Sequence, residues 1–381
     1  MNYTMLFQHN ILKTADFVAG RLLASIIPLP SRNFELSDIK RILLIRPGGI
    51  GDAALLALPI SCIKKTFPDA HITILAERRN SGTFQLIPQV DKVLNYDRPG
   101  DFVEALTTKF DLVIDTEQSH RLSAVVARMV NTPFKVGFDT NERRRMFSHT
   151  VDYDMDAYEV DNFLALLEPL GVRCQIDGAT QFLSVPDLSL SRAERLLKPL
   201  NSEPFMAIFP GASIEEKRWG TEKFMRVAEL IASFGIKVVA VGGKDEVRQS
   251  EAIWAGGLGL NLTGLTSLAE TAAVIKKSAL LLSGDSGVLH IAAGLGVPTV
   301  SLFGASMVSK WAPKGDHHIV INKGLPCSPC TTFGRTPPCP INSKCMSDIT
   351  VDEVFNAVTV LLTSVGAMPS RCCKRDWVEV A

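Results

Sequence analysis

Apolar positions along this chain follow two alternating patterns. Uninterrupted apolar runs at Arg41–Arg46, His71–Ala76, Lys92–Asn95 and Asp111–Asp115 predict strands buried on both faces. Three-to-four-residue spacing between several of them predicts helices, one of them over Asp52–Lys65 in spite of Pro59. The alternation restarts at Phe205–Phe209. A helix over Thr221–Phe234, a strand over Ile236–Val241, a helix over Leu268–Lys276 and a strand ending at Ala279–Leu282 follow, then helical spacing through Leu289, Ala292, Ala293 and Leu295 and a strand over Val297–Phe303. Strands alternating with helices specify parallel sheets covered on both faces. The expected class is therefore α/β, with two doubly wound Rossmann-like domains facing each other across a cleft and ligands at the carboxyl ends of the strands. The boundaries read as an N-terminal helical extension over 1–38, a first domain over 39–180, a Pro-containing linker over 181–204, a second domain over 205–350 and a C-terminal helix and tail over 351–381.

In the extension, Met5, Leu6, Ile11, Leu12, Val18, Leu22, Leu23 and Ile26 share one helical stripe, with Lys13 and Arg21 among the polar positions, until Pro28, Pro30 and Ser31 break it. Packing against the protein body is the preferred reading, and a peripheral seat on the inner membrane is the alternative. Composition changes this picture only by exclusion. Forty basic and forty acidic residues among 381 cancel, which gives no footing for a nucleic-acid partner. No run of eighteen apolar residues suggests a membrane span, and the N-terminal stretch lacks the layout of a secretory signal, so a cytoplasmic location is expected.

The most informative stretch is SGDSGVLHIAAGLGVPTVSLFG at 283–304, a polar Gly-punctuated turn between a strand and a helix. A helix starting near Ser286 points its free N–H groups and positive dipole end into that turn, which favours a nucleotide diphosphate; Asp285 as a plain N-cap is the bland alternative. Gly287 keeps the turn tight, and His290 lies one helical turn after Ser286. In the first half Gly48, Gly49 and Gly51 admit a close ligand, and Asp52 opens the next helix as a candidate general base, with simple helix capping as the alternative. GGIGD lacks the third glycine of a dinucleotide fingerprint, which argues against a nicotinamide oxidoreductase. Ser213 and Lys217, on the loop after Phe205–Phe209, are candidates for the donor phosphates, Lys217 as the charge that stabilises a leaving diphosphate. Glu246, beyond Gly242 and Gly243, is placed to accept from ribose hydroxyls.

RILLIRPGGIGDAALLALP at 41–59, FPGASIEEKRWGTEKF at 209–224, VVAVGGKDE at 238–246 and the 283–304 stretch together resemble glycosyltransferase family 9, the lipopolysaccharide heptosyltransferases, from about Ile39 to Ala357. The resemblance implies a GT-B fold, an ADP-activated heptose donor bound mainly by the second domain and an acceptor bound mainly by the first. It also implies a C-terminal helix, Val351–Ser364, that crosses back toward the first domain. Carried over by position, Asp52 matches the family's proposed base, Lys217 the lysine near the donor phosphates and Glu246 the acidic residue near the ribose. Asp285, Ser286, Gly287 and His290 fall on its donor motif, usually Asp-Thr-Gly-Pro-x-His. Ser286 stands here for threonine and Val288 for proline, departures that leave the donor sugar open.

The resulting expectation is an inverting, metal-independent transferase with no required cofactor, an ADP-sugar as donor and a lipid-linked or anionic glycan as acceptor. Gly49, Gly51, Arg78, Arg79 and Arg121 are the candidate acceptor contacts, with the basic run Arg143–Arg145 beside them, because guanidinium groups grip phosphate and carboxylate in a fork. The Asp-x-Asp spacing in Asp152-Tyr153-Asp154-Met155-Asp156 fits Mg²⁺ or Mn²⁺ in other transferases, but an acidic surface loop is preferred. Cys327, Cys330, Cys339 and Cys345 have a spacing that fits zinc, with a structural staple or unligated thiols preferred. Cys372 and Cys373 lie in a polar tail, and a cytoplasmic location argues against disulfides. A UDP- or GDP-sugar donor and a non-catalytic nucleotide-binding module are the competing functions.

Overall fold

Strand Arg41–Arg46 (β1) is buried at every position after its first, as a run flanked on both faces must be. The computed structural model describes residues 16–26, 39–174, 181–254 and 259–368. The chain divides into two units, Met1–Asp177 and Gly178–Ala381. In the first unit β1 is joined by His71–Ala76 (β2), Lys92–Asn95 (β3), Leu112–Asp115 (β4), Phe134–Phe138 (β5) and His149–Val151 (β6). They form one parallel sheet in the order β3-β2-β1-β4-β5-β6. In the second unit Phe205–Phe209 (β7), Lys237–Ala240 (β8), Gly259–Asn261 (β9), Leu280–Gly284 (β10), Thr299–Phe303 (β11) and His318–Asn322 (β12) form a second parallel sheet, β12-β11-β10-β7-β8-β9. Counted from its own first strand, each unit has the same doubly wound order. The order reverses between β1 and β4 in one sheet and between β7 and β10 in the other, and those are the points where the strand ends open a crevice.

The helix expected over Asp52–Lys65 is two segments, Ile50–Leu55 and Ala57–Thr66, meeting at Leu56. Pro59 is the cause: it has no N–H for the Leu55 carbonyl, and its ring crowds that carbonyl. Capping boxes close two helices of the second unit, with Ser267 and Glu270 opening Leu268–Lys276 and Thr350 and Glu353 opening Val351–Ser364. The expected linker at 181–204 contains a helix, Asp187–Leu197, which packs on Leu268–Lys276 within the second unit. Ser189, Ala193 and Leu197 form its buried face, a periodicity that the flanking Pro186 and Pro199 obscured.

Helix Val351–Ser364 also belongs to the second unit. Val354, Val358 and Leu362 are fully buried in one core with Met206, Val227, Ile231, Leu280 and Val300, so its apolar stripe covers that unit's own sheet. Of the N-terminal extension, Asp16–Gly20 and Arg21–Ile26 are helical. They pack against helix Arg121–Met129 and the turn Asn141–Met146, while the remainder of 1–38 lies outside the described residues. Asp16 Oδ1 accepts from Leu122 N at 2.8 Å, and Arg21 pairs with Glu142 at 3.1 Å.

Cys62 and Cys174, 112 positions apart, are joined in the first unit, contrary to the expectation of no disulfide. Their proximity comes from the packing of helix Glu159–Ala165 against Ala57–Thr66, which sequence spacing does not reveal.

Candidate active site

In the first unit the functional side chains leave the ends of β1 and β4, on either side of the order reversal. Gly48 holds φ at 98°, a left-handed conformation that glycine adopts without strain. Helix Ile50–Leu55 then begins with Asp52 in its first turn, where the helix dipole favours a carboxylate. Asp52 Oδ1 accepts from Gln118 Nε2 at 3.1 Å and lies 4.0 Å from the Arg46 guanidinium. A Cβ on Gly49 would collide with Asp52 Oδ2, so glycine there keeps that oxygen's space open. Gly51 is buried inside the same turn.

Several residues that sequence reasoning passed over complete this group. Arg46, the last residue of β1, is 3% exposed; it donates to Pro47 O and Thr116 O, each at 2.8 Å, and to Glu117 at 3.2 Å. Burial disfavours its charge, but Asp52, Glu117, Glu159 and Asp115 outweigh that and raise the guanidinium above its ordinary value. Burial likewise opposes charge on Glu117, and Arg46 and His120 overcome it, holding that carboxyl well below the usual range. The bond to Glu117, at 2.9 Å, raises the His120 imidazole against the cost of burial. Glu159, fully buried, accepts from Gln118 and from the Tyr153 hydroxyl at 2.8 Å. The signal missed in sequence was an arginine ending an apolar strand and a Glu-Gln pair just past another strand end, both at carboxyl ends that the topology makes adjacent.

The expected acceptor arginines do not behave as a set. Arg78 and Arg79 follow β2 and are largely exposed, paired with Asp97 at 3.1 Å and Glu77 at 2.5 Å. Arg79 also reaches toward Gly48. Arg121 is mostly buried and engaged by Glu142 at 2.6 Å, with Asp16 at 4.0 Å, so the N-terminal segment holds it. Arg143, expected in a basic run beside the acceptor contacts, is fully buried against Asp115 at 2.7 Å. It sits there because the turn Asn141–Met146 folds under the end of β4, where a buried carboxylate requires a cation.

In the second unit the corresponding groups leave β7 and β10. Lys217 Nζ donates to Asp285 Oδ2 at 2.6 Å, and the Ser306 hydroxyl donates to the same oxygen at 2.5 Å. Burial opposes charge on Asp285, but Lys217 and these hydrogen bonds prevail and hold its carboxyl below the ordinary value. The N-cap of helix Gly287–Gly294 is Ser286, not Asp285: its hydroxyl accepts from Leu289 N at 3.3 Å. Gly287 is the first residue of the helix. Asp285 is thereby released to fix Lys217. An ammonium has three N–H groups, so two stay available beside the helix N-terminus.

Glu246 Oε2 accepts from Gly243 N at 2.8 Å, and burial pushes its carboxyl up. Gly211 lies under the Glu246 side chain and has no room for a Cβ there. The structure thus brings the β7 loop and Glu246 together. Ser213 is exposed on the same loop. His290 is 3% exposed, close enough to Asp285 to favour its charge, and edge-on to Trp311 with ring centres 6.3 Å apart.

The Asp-x-Asp stretch makes a turn. Asp154 Oδ1 accepts from Asp156 N and Ala157 N at 2.8 and 3.2 Å. Among Cys327, Cys330, Cys339 and Cys345 no disulfide forms; Cys345 is buried and Cys327 exposed. Ser343 N donates to Cys339 Sγ at 3.2 Å, and Cys345 lies against Gly304. Among the described residues no three His, Cys, Asp or Glu side chains are arranged to hold a metal ion. Cys372 and Cys373 lie outside the described residues. No helix among the described residues is long and apolar enough to cross a membrane.

Lipopolysaccharide heptosyltransferase 3 of Escherichia coli is 27% identical over 292 residues, covering 71% of this chain and 85% of that protein. The glycosyltransferase family 9 structure from Veillonella parvula DSM 2008 superposes with a TM-score of 0.75 at 22% identity, over 87% of this chain and all of that one. The E. coli ADP-heptose lps heptosyltransferase II structure superposes with a TM-score of 0.70 at 22% identity, over 85% and 99%. Both place the chain in the GT-B fold. The family model for glycosyltransferase family 9 (heptosyltransferase) matches residues 100–338, well over half of the chain. With two doubly wound sheets and polar groups gathered at both order reversals, this chain belongs to glycosyltransferase family 9 and is a glycosyltransferase.

Proposed function

We propose that this enzyme transfers a heptose from an ADP-activated donor to the lipopolysaccharide core, with inversion at the anomeric carbon and without a metal ion. The observation that carries the reading is the Lys217–Asp285 pair beside the Ser286-capped helix, a fixed cation and a helix N-terminus at one order reversal. Donor and acceptor classes are those named for the heptosyltransferase relatives.

In this mechanism the acceptor hydroxyl attacks the anomeric carbon as the bond from that carbon to the ADP oxygen breaks. Asp52 takes the hydroxyl proton. The charge growing on ADP is met by the two remaining N–H groups of Lys217 and by the first N–H groups of helix Gly287–Gly294. Glu246 accepts from the ribose hydroxyls, Ser213 lies beside the diphosphate, and Asp285 orients Lys217. Arg78 and Arg79, exposed at the end of β2, are the acceptor-side cations, with Gly49 and Gly51 admitting the sugar. Such an acceptor is lipid-linked, which puts the enzyme on the cytoplasmic face of the inner membrane.

The test is calorimetry of ADP, UDP and GDP without divalent metal and then with Mg²⁺, followed by transfer from ADP-heptose with Asp52→Ala as control. Metal-independent preference for ADP and loss of transfer in Asp52→Ala are expected. Preference for UDP or GDP would discard the heptose donor, and binding that requires Mg²⁺ would discard the metal-free mechanism.

A further inference from the structure

Gln118 lies between two carboxylates. Its Nε2 is 3.1 Å from Asp52 Oδ1 and 2.6 Å from Glu159 Oε1, one amide N–H for each. Its Oε1 faces Arg46, at 3.5 and 3.4 Å from the two terminal nitrogens. The surrounding charges fix this orientation. Turned over, the amide would set its oxygen against two carboxylates and its NH2 against a guanidinium. Gln118 is 8% exposed, and its backbone carbonyl is held by the Thr140 hydroxyl at 2.6 Å. Arg46 is anchored to Pro47, Thr116 and Glu117, and Glu159 also receives Tyr153. The amide thus joins Asp52 to a scaffold whose members are themselves held.

We propose that Gln118 is a positioning residue for Asp52: it fixes the carboxylate through Oδ1 so that Oδ2, over Gly49, is presented to the acceptor hydroxyl, with Glu159 as the second anchor of the amide. The inference rests on the reading of Asp52 as the base. A neutral amide is required at 118 because Asp52, on helix Ile50–Leu55, and Glu159, on helix Glu159–Ala165, both accept from it. Arg46 and Tyr153 also lie close enough to Asp52 to feel its charge.

Gln118→Met keeps the length and removes both donors. We expect kcat to fall about ten- to a hundredfold, part of the 10²–10⁴ that a positioned proton acceptor contributes, with the donor KM within about twofold of wild type. Glu159→Gln loosens only the second anchor of the amide, so its kcat falls less, again with the donor KM unchanged.

Thermal melts establish that each variant is folded. Should Gln118→Met not fold, Glu159→Gln and Gln118→Glu, which sets a third carboxylate between Asp52 and Glu159, carry the test through the same fall in kcat at unchanged donor KM. Asp52→Asn inactive but Gln118→Met unchanged in kcat would overturn the positioning role alone. Asp52→Asn as active as wild type would overturn the base reading and this inference with it.

Discussion

Replacing Lys217 by alanine tests whether its pair with Asp285 is scaffold as well as ligand site. The two charges are 2.6 Å apart, with side chains 16% and 11% exposed. At an effective dielectric near 20 their gross attraction is about 6 kcal/mol. Desolvation of both groups offsets much of it. Removing the lysine alone leaves a largely buried carboxylate with the Ser306 hydroxyl still donating to it. Because the site is not fully closed, we expect a loss of about 2–3 kcal/mol in urea denaturation, below the 3–5 of a completely buried pair. The double variant Lys217→Ala/Asp285→Ala should lose less than the sum of the singles, with a coupling of about 1–3 kcal/mol. The pH dependence has a definite sign. In the wild type the Asp285 carboxyl is depressed below its ordinary 3.8, so its contribution is present above that value and is lost as pH falls through the depressed one. With the cation gone, burial prevails and the carboxyl rises, so the variant's deficit should shrink as pH drops from 7 toward about 3. Loss of the charge-assisted bonds to ADP, about 1.5–3 kcal/mol, should weaken calorimetric ADP binding roughly 10- to 100-fold. Additive stability losses, a deficit that stays constant with pH, or unchanged ADP affinity would each refute the reasoning.

Three further outcomes follow from the same structure. Gly211→Ala should leave the fold intact, since the clash falls on the flexible Glu246 side chain, but should weaken ADP binding by pulling Glu246 from Gly243; unchanged affinity by calorimetry would remove Glu246 from the donor site. Leu362→Ala, at a fully buried position of helix Val351–Ser364, should cost about 2–5 kcal/mol in urea denaturation, and a loss below about 1 would place that helix outside the core. His120 is raised above its ordinary 6.5 by Glu117, so its contribution is complete below that value and disappears as pH rises through the raised one. Melting temperatures of wild type and His120→Gln should therefore converge as pH increases, and parallel curves would contradict the linkage.

The strands β1, β2, β4, β7, β8, β10 and β11 were legible in the sequence because strands buried on both faces must be apolar almost throughout, and the half-exposed β3 from its Val-Leu pair. The places of Asp52, Lys217, Glu246 and Ser286 just past strand ends were legible too, since Gly-rich turns at strand ends have local signatures. The buried β5, interrupted by Lys135 and Gly137, the half-exposed β12 and the three-residue β6 and β9 lacked such a run and went unread. Arg121 and Arg143 read as acceptor-side cations, because a basic residue shows nothing in sequence of the carboxylate that will engage it. Arg46, Gln118 and Glu159 were missed because Gln118 meets the other two only across 41 and 72 positions. Local sequence thus determined which segments become strands and helices and where the tight polar turns fall, through periodicity and backbone freedom acting over a few residues. Only the tertiary structure decided which charges meet, because burying a charge is tolerable solely where a distant opposite charge or donor is brought to it.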